Sequence, residues 1–333
     1  MNNVMKKKRL GGFIRSREIT LVFLIIFLVL VVSTRYGKFL SPDNIGDIVM
    51  DSSILIIMTI AQMGVILIGG IDLSIASNMA LTSYLVAQLH VINPGLPASV
   101  LILSALFLGM IFGLFNGILV ALGNIPPVIA TLGTISIYRG LTYFISQGEW
   151  ISAHQMTSEF KYITKTHFLG LPALIWYMTA VSLVFYIFYS HIRTGREFYS
   201  VGGNADAAGY VGVSLKKIQI LAFSISGALA GLGGLFYISK YAIAQTDTAL
   251  GYEFKTISAC VIGGVSLSGG VGTIPGVILG ALFIGIVNNA LPVINLSPFY
   301  QMALLGAIIL VAVIYNKLAD DRNQKFISRK REF

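Results

Sequence analysis

Cysteine is almost absent from this 333-residue chain, which has only Cys260, so a disulfide framework and a cysteine-based metal site are both excluded. Charged residues are scarce as well, at 11% of the chain, whereas soluble globular domains carry about 25%. The four histidines are scattered, with no pair spaced to share a helix face. With 56% hydrophobic residues and a mean hydropathy of +0.82, the composition predicts a membrane protein.

Motifs for nucleotide binding and covalent catalysis are also missing. No G-x-x-x-x-G-K-[ST] loop and no G-x-S-x-G elbow occurs, and Pro275 interrupts the glycine pattern that starts at Gly270. Asp51 and Asp72 lie about 30 Å apart if one straight helix joins them, too far to share a proton. We therefore expect a chain that is not an enzyme, needs no cofactor and no metal, and leaves ATP hydrolysis to another subunit.

Long apolar runs dominate the sequence, and a bilayer-crossing helix needs about 20 such residues. The basic cluster at 6–9 resembles the start of a signal peptide, but the apolar run after it is long and ends at Arg35 and Lys38, so we expect a first span there. We predict an all-α polytopic membrane protein with ten spans, near 19–36, 48–69, 73–90, 98–122, 127–146, 168–190, 217–238, 256–267, 273–291 and 299–316. The eighth is too short to cross fully as a straight helix.

The basic residues predict the orientation of these spans. Of the 23 lysines and arginines, 16 fall in the N-terminus, the C-terminus and the loop around 193–217, against six on the opposite side. Basic residues concentrate in cytoplasmic loops. We therefore expect one transmembrane domain over 1–333 with three cytoplasmic parts, at 1–18, 191–216 and 317–333. The net charge of +9 then reflects topology, and no nucleic-acid partner is expected.

Glycine follows two patterns. Pairs spaced four apart, such as Gly109 with Gly113 and Gly227 with Gly231, predict close packing between helices. In addition, Gly-Gly-x-x-Leu-Ser occurs twice, in segments 68–74 and 262–268, each at the end of one span and before another. Internal repeats with glycine-broken helices are found in many transporter folds.

Polar residues inside spans are candidates for a translocation pathway or gate. Asp72 leads this set, with two alternatives of equal weight: an N-cap for the third span, or a gating residue. Arg139 could also extend to the membrane interface. The complete set of pathway candidates is Asp72, Gln62, Tyr84, Asn116, Arg139, Asn288 and Asn289. For the asparagines and Gln62, hydrogen bonding between helices is the main alternative.

The longest polar stretch on the predicted outer side is 147–167. Its candidates for contact with an extracytoplasmic partner are Glu149, Trp150, His154 and Glu159. Trp150 could equally anchor at the membrane interface, where tryptophan is enriched.

Five motifs, in order along nearly the whole chain, resemble the permeases of bacterial sugar ABC importers, the ribose-type members of the branched-chain amino acid and monosaccharide permease family. They are Gly-Gly-Ile-Asp-Leu-Ser (69–74), Asn-Gly-Ile-Leu-Val (116–120), Ile-Ala-Thr-Leu-Gly-Thr with Tyr-Arg-Gly (129–140), the segment 195–208, and Gly-Gly-Val-Ser-Leu-Ser-Gly-Gly-Val-Gly (263–272). The Tyr-Arg-Gly and Glu-Trp-Ile region is most similar to the rhamnose and autoinducer-2 branch.

This resemblance implies a type II, vitamin-B12-importer-like fold that passes a monosaccharide inward. It also implies three kinds of partner: cytoplasmic ATP-binding subunits, an extracytoplasmic sugar-binding protein and a second permease, identical or a sister chain. A rival function, needing no partner, is an ion-coupled secondary transporter of a small polar solute. Buried carboxylates along the path would favour that rival, and only Asp72 is a candidate.

In the family, the segment that matches Gly195 to Gly212 forms the cytoplasmic coupling helix, which contacts the ATPase. The residues expected to serve this contact are Gly195, Arg196, Gly202, Gly203, Asn204, Ala207, Ala208 and Gly212. Asn204 is a plausible N-cap and Asp206 suits the first turn of a helix. Gly202 and Gly203 are expected to allow a sharp turn, and the two alanines to allow close docking of the ATPase.

Overall fold

A computed structural model describes residues 16–293, 299–300, 302–303, 305–311 and 314, and the described chain is predominantly helical. The helices are α1 (Ser16–Arg35), α2 (Pro42–Leu67), α3 (Ile75–Ile92), α4 (Ala98–Ala121), α5 (Pro127–Ser146), α6 (Ser158–Lys165), α7 (Ala173–His191), α8 (Arg193–Gly203), α9 (Ala205–Tyr210), α10 (Leu215–Tyr241), α11 (Tyr252–Ile262) and α12 (Ile274–Val293). Two short antiparallel strands, β1 (His167–Phe168) and β2 (Leu171–Pro172), form a hairpin before α7.

Eight helices in the described part of the chain are long and apolar enough to cross a membrane: α1, α2, α3, α4, α5, α7, α10 and α12. They match eight of the ten predicted spans, and the all-α polytopic class is confirmed. The predicted eighth span corresponds to α11, which has 11 residues and is too short to cross. The predicted tenth span, 299–316, is described only in part, and residues 1–15 and 317–333 lie outside the described residues.

Helix α2 forms the centre of the bundle. Nearly every side chain from Ser52 to Leu67 is buried, and α7, α10, α11 and α12 all pack against this helix. The helix starts at Ser41, whose hydroxyl accepts a hydrogen bond from the Asn44 N–H, and Pro42 occupies the first turn, where no backbone donor is needed. The opposite pattern is seen in α1, which leaves most of its apolar surface exposed.

Glycine spacing sets a close helix contact between α4 and α10. A Cβ atom added at Gly109 would collide with the carbonyl of Gly227 and lie 2.8 Å from the Gly231 nitrogen. At Gly113, a Cβ would collide with the carbonyl of Phe223 in the same helix. The backbones therefore touch directly, which confirms the predicted role of these glycine pairs in packing.

The two Gly-Gly segments meet in space. The Gly270 N–H donates to the Leu67 carbonyl at 2.9 Å. Leu67 lies directly before the first segment, and Gly270 lies shortly after the second. Gly69 and Gly264 each adopt a left-handed backbone, with φ of +78° and +84°, which glycine adopts at no steric cost. Each copy of the repeat thus follows its helix with a left-handed glycine, the first of the pair in one copy and the second in the other, and both copies lie at the same end of the bundle.

Candidate functional site

The segment between α7 and α10 folds as two short helices, α8 and α9, joined at Asn204. The Asn204 side chain accepts a hydrogen bond from the Ala207 N–H at 2.9 Å, and Asp206 occupies the first turn of α9. The expected N-cap is therefore confirmed, because a side-chain oxygen satisfies a backbone donor that the helix leaves free. Helix α8 buries Phe198 and Val201 against the bundle.

Two glycines in α8 have a different role from the predicted one. Neither Gly195 nor Gly202 has a positive φ, so Gly202 does not allow a sharp turn. A Cβ at Gly202 would instead collide with the Leu67 carbonyl and lie 2.5 Å from the Gly270 nitrogen. A Cβ at Gly195 would collide with the carbonyl of Phe188 in α7. These glycines therefore hold α8 closely against the permease bundle itself.

The remaining glycines of the segment are less constrained by neighbours. No atom lies within 4 Å of a Cβ built at Gly203, so a small side chain would fit there, although the Gly203 backbone itself packs close to Gly270. Gly212 has φ of +85° and provides the turn between α9 and α10. The exposed Arg196 donates from its guanidinium to the carbonyl of His191 at 3.0 Å, which ties α8 to the end of α7.

The two alanines that were expected to dock the ATPase, Ala207 and Ala208 of α9, differ in exposure. Ala207 is exposed, whereas Ala208 is buried with 5% exposure and packs into the main core. The expectation that both alanines provide a docking surface is therefore wrong for Ala208, which faces its own bundle. Sequence reasoning also missed Tyr210 and Val211, which are 92% and 74% exposed. The available signal was two apolar residues inside a polar loop.

Asp72 lies in a buried polar network between α2 and α3, with 2% exposure. One carboxylate oxygen accepts from the N–H and the hydroxyl of Ser74, at 3.0 and 2.7 Å, and the other accepts from the Ser226 hydroxyl of α10 at 3.0 Å. Ser74, not Asp72, is the N-cap residue of α3, but its own side chain makes no capping bond. The carboxylate instead accepts from the Ser74 N–H at the start of α3 and also joins α3 to α10.

The electrostatics of Asp72 follow from this setting. Burial raises the pKa of the carboxyl, because the charged form loses hydration, while the hydrogen bonds from Ser74 and Ser226 act in the opposite direction. Both oxygens already have partners in this conformation. Asp72 therefore joins helices here and does not present a free carboxylate.

Two more pathway candidates belong to the same network. Asn116 of α4 donates to the Ser74 hydroxyl at 2.7 Å and lies 3.3 Å from the Tyr138 hydroxyl of α5. With its amide oriented to match its neighbours, Gln62 of α2 donates to the Asp72 carbonyl at 3.0 Å and accepts from the Asp72 N–H at 3.2 Å. The network thus joins five helices. Ser74 and Ser226 were missed in the sequence, since serine in a span carries little signal.

The other four pathway candidates lie apart from this network. Arg139 donates to the carbonyls of Thr246 and Thr248, at 2.9 and 2.8 Å, and so fastens the α10–α11 loop. Asn289 donates to Asn44 at 3.2 Å, linking α12 to α2, while the buried Asn288 side-chain oxygen has no partner in the described structure. Tyr84 is buried in α3. A helix-joining or loop-fastening role is observed for Arg139 and Asn289.

Asp51 lies in the first half of α2, far from Asp72, which follows the end of that helix, and it makes a separate cluster. Its carboxylate accepts from the Lys240 ammonium and from the Tyr241 hydroxyl, both at the end of α10. The two aspartates contact different groups, which agrees with the exclusion of an aspartyl pair. This contact links α2 to α10 at the end of the bundle away from α8 and α9.

The four predicted outer-loop candidates are all exposed, as a docking surface requires. Glu149, Trp150 and His154 lie in the irregular stretch before α6, and Glu159 lies in its first turn. Hydrogen bonds at the start of α6, from its own N–H and from Thr157, hold the pKa of Glu159 below its usual value. An isolated β-bridge from Ile151 to Ala244 ties this loop to the α10–α11 loop.

A family model described as the branched-chain amino acid transport system permease component matches residues 44–313, from α2 through the described part beyond α12. The chain belongs to this permease family. The ribose import permease of Haemophilus influenzae is 35% identical over 316 residues, covering 94% of this chain and 97% of that protein. The ribose import permease of Escherichia coli K12 is 34% identical over 302 residues, covering 90% and 92%.

The autoinducer 2 import system permease of Salmonella typhi is 31% identical over 301 residues, covering 90% of this chain and 86% of that protein. No solved structure matches the chain. The matched range contains both the buried Asp72 network and the α8–α9 segment, so both belong to the permease core of the family. The resemblance stated from the sequence motifs is therefore confirmed at the level of the family.

Proposed function

We propose that this permease is the membrane-spanning subunit of an ATP-driven importer, which passes a monosaccharide from an extracytoplasmic binding protein into the cytoplasm. The observation that carries the proposal is the α8–α9 segment: it is held against the bundle on one side and presents an exposed apolar surface on the other. The ribose and autoinducer-2 permeases named above support the sugar class. A second permease, identical or a sister chain, would complete the pathway.

The exposed side of α9 supports an ATPase contact. Asp206, Ala207, Gly209, Tyr210 and Val211 are all exposed, in a segment between two spans. Tyr210 and Val211 form an exposed aromatic and apolar pair, and aromatic anchors carry much of the binding energy in protein interfaces. We infer that the groove of a cytoplasmic ATPase receives this surface, with the small side chain of Ala207 allowing close approach.

The buried side of α8 supports transmission of movement into the bundle. Gly202 contacts the backbone at Leu67, which is the last residue of α2, and at Gly270, which follows the second Gly-Gly segment. Asp72 lies five residues beyond Leu67 and joins α3 to α10. A rigid displacement of α8 by the ATPase would therefore act on the loops that connect α2 to α3 and α11 to α12. Close-packed backbones transmit such displacements because they cannot compress.

Orientation is part of the proposal, with both termini and the α8–α9 segment in the cytoplasm. The distribution of basic residues supports it. Asn204→Cys in a Cys260→Ala background tests it, because Cys260 is the only native cysteine and is buried. Reaction of that cysteine with a membrane-impermeant thiol reagent in intact cells would contradict the orientation.

The rival function, an ion-coupled secondary transporter, would need a carboxylate able to bind and release an ion along the path. Asp72 is the candidate, and both of its oxygens accept hydrogen bonds from serine hydroxyls or backbone. The deciding experiment is reconstitution into liposomes. We expect sugar uptake only when the ATPase subunit, binding protein and ATP are supplied. Uptake by the chain alone, driven by an imposed proton gradient, would favour the rival.

A further inference from the structure

The turn between β1 and β2 has an apolar residue where a polar one is usual. The strands pair up to Phe168 and Leu171, which leaves only Leu169 and Gly170 in the loop. Both loop residues have positive φ, +51° and +79°, as a type I′ turn requires. Such turns favour Asn-Gly or Asp-Gly, since a bulky side chain is strained at positive φ. Leu169 is therefore present against the local preference of the backbone.

The side chains next to this turn are apolar and exposed as well. Phe168 and Leu169 are 60% and 76% exposed, and Leu171 is also exposed. Single apolar residues at a protein surface are common, but a contiguous exposed group marks a surface that a partner or a membrane covers. The hairpin tip is such a group, because its apolar residues are neighbours in the chain.

The hairpin packs on the exposed side of α7. The Trp176 indole N–H donates to the Phe168 carbonyl at 2.9 Å, and the two rings meet edge to face with their centroids 5.8 Å apart. Trp176 starts an exposed row on one face of α7, which continues through Ala180, Leu183 and Ile187. This helix is long and apolar enough to cross the membrane. Contacts between membrane helices favour small residues, so the large side chains of this row favour lipid as its neighbour.

Internal hydrogen bonds fit the hairpin to a layer that contains little water. The two strands pair with each other, the Ala173 N–H donates to the Thr166 carbonyl at 2.7 Å, and the indole N–H of Trp176 already has an acceptor. Unpaired donors would be costly in such a layer. The exposed Lys165, directly before the hairpin, limits the depth, because a charge is expensive in the hydrocarbon core.

We propose that the β1–β2 hairpin is a lipid anchor, with Phe168, Leu169 and Leu171 at the boundary between headgroups and acyl chains, beside Trp176. Tryptophan is enriched at this level of the bilayer. The choice of the outer leaflet rests on the proposed orientation, whereas the depth of the hairpin does not. The anchor would hold the preceding loop, 147–167, at a fixed height above the membrane, with its candidates for contact with the binding protein.

The first test measures the depth of the hairpin tip. Leu169→Cys in a Cys260→Ala background carries a nitroxide label, and the permease is reconstituted in liposomes. Collisions with molecular oxygen, which concentrates in lipid, are compared with collisions with nickel(II) ethylenediaminediacetate, which stays in water. We expect the label at 169 to favour oxygen several-fold, and a control label at His154→Cys, exposed in the preceding loop, to favour nickel.

Two results would overturn the lipid anchor. A tip label that nickel reaches as readily as the control label would place the hairpin in water. A tip label shielded from both reagents would show that protein covers the hairpin, such as a second permease.

The second test separates lipid contact from the preference of the turn. With the label at Leu171→Cys, Leu169→Asn is compared with Leu169→Met. Asparagine suits the turn better but is polar, whereas methionine remains apolar. We expect Leu169→Asn to raise nickel accessibility at 171 several-fold and Leu169→Met to leave it unchanged; equal values would overturn the role of Leu169. Neither assay uses sugar or ATP, so failure of the anchor would leave the proposed function untouched.

Discussion

Substituting Gly202 by alanine tests whether the coupling segment acts through its contact with the bundle. The new Cβ would lie 2.5 Å from the Gly270 nitrogen and collide with the Leu67 carbonyl, whereas ordinary contacts begin near 3.4 Å. Both neighbours are backbone atoms, so no side chain can rotate away. Relieving the Gly270 contact alone would need a movement of about 0.9 Å, and the Leu67 carbonyl lies closer still, so helix α8 must move outward by more than this.

The energetic cost can be bounded from the same contact. Adding one methyl group to a tightly packed site costs about 1–3 kcal/mol. If α8 exchanges between docked and undocked positions, the docked population would fall relative to the undocked one by roughly 5- to 150-fold. Alanine is also a better helix former than glycine, by about 1 kcal/mol, which reduces the net effect on folding but does not remove the collision.

Gly203→Ala is the matched control. It makes the same chemical change one residue later, at the end of α8, where a Cβ meets no atom within 4 Å. We expect Gly203→Ala to behave as wild type. Gly202→Ala should insert normally, because most of the bundle is unaffected, but it should show uptake reduced by at least several-fold with hydrolysis no longer tied to transport.

The assay compares three measurements for both variants: the amount of permease in the membrane, ATPase co-purification, and sugar uptake per ATP hydrolysed. The reasoning would be refuted if Gly202→Ala and Gly203→Ala gave equal, wild-type uptake and stoichiometry. Equal loss in both variants would also refute it, since only one of the two sites is crowded.

Three further outcomes are expected. Ala207→Trp, on the exposed side of α9, should abolish ATPase co-purification without changing the melting temperature of the purified permease; a lowered melting temperature with retained co-purification would contradict the assigned exposure. Asp72→Ala should lower the melting temperature more than Asp72→Asn, because asparagine retains a hydrogen-bond acceptor. Alanine leaves the buried donors unpaired, at a cost of about 1–3 kcal/mol each. Equal changes in melting temperature for the two variants would argue against the network. Asp51→Lys should lower uptake, and the double variant Asp51→Lys with Lys240→Asp should restore part of it. Because Asp51 is partly exposed, the loss of the ion pair should change the free energy of unfolding by about 1 kcal/mol or less. No recovery in the double variant would show that the ion pair itself is not needed.

Local and compositional features of this permease were predictable from the sequence. Eight spans follow from runs of apolar residues, because the bilayer requires about 20 of them in succession. The N-cap at Asn204 was predictable because its hydrogen-bond partner, the Ala207 N–H, is only three positions away along the chain. Glycine spacing in α4 and α10 indicated close packing, since small residues four apart lie on one helix face.

Only the tertiary structure decided which partners those residues have. Ser226, which binds Asp72, is 154 positions away along the chain, and neither hydropathy nor spacing marks it. The direction of Ala208 depends on how α9 sits on the bundle, and the role of Gly202 depends on two backbone segments, near residues 67 and 270, that meet only after folding. Propensity and periodicity describe single elements, whereas buried polar partners and crowded glycines are properties of how separate elements pack together.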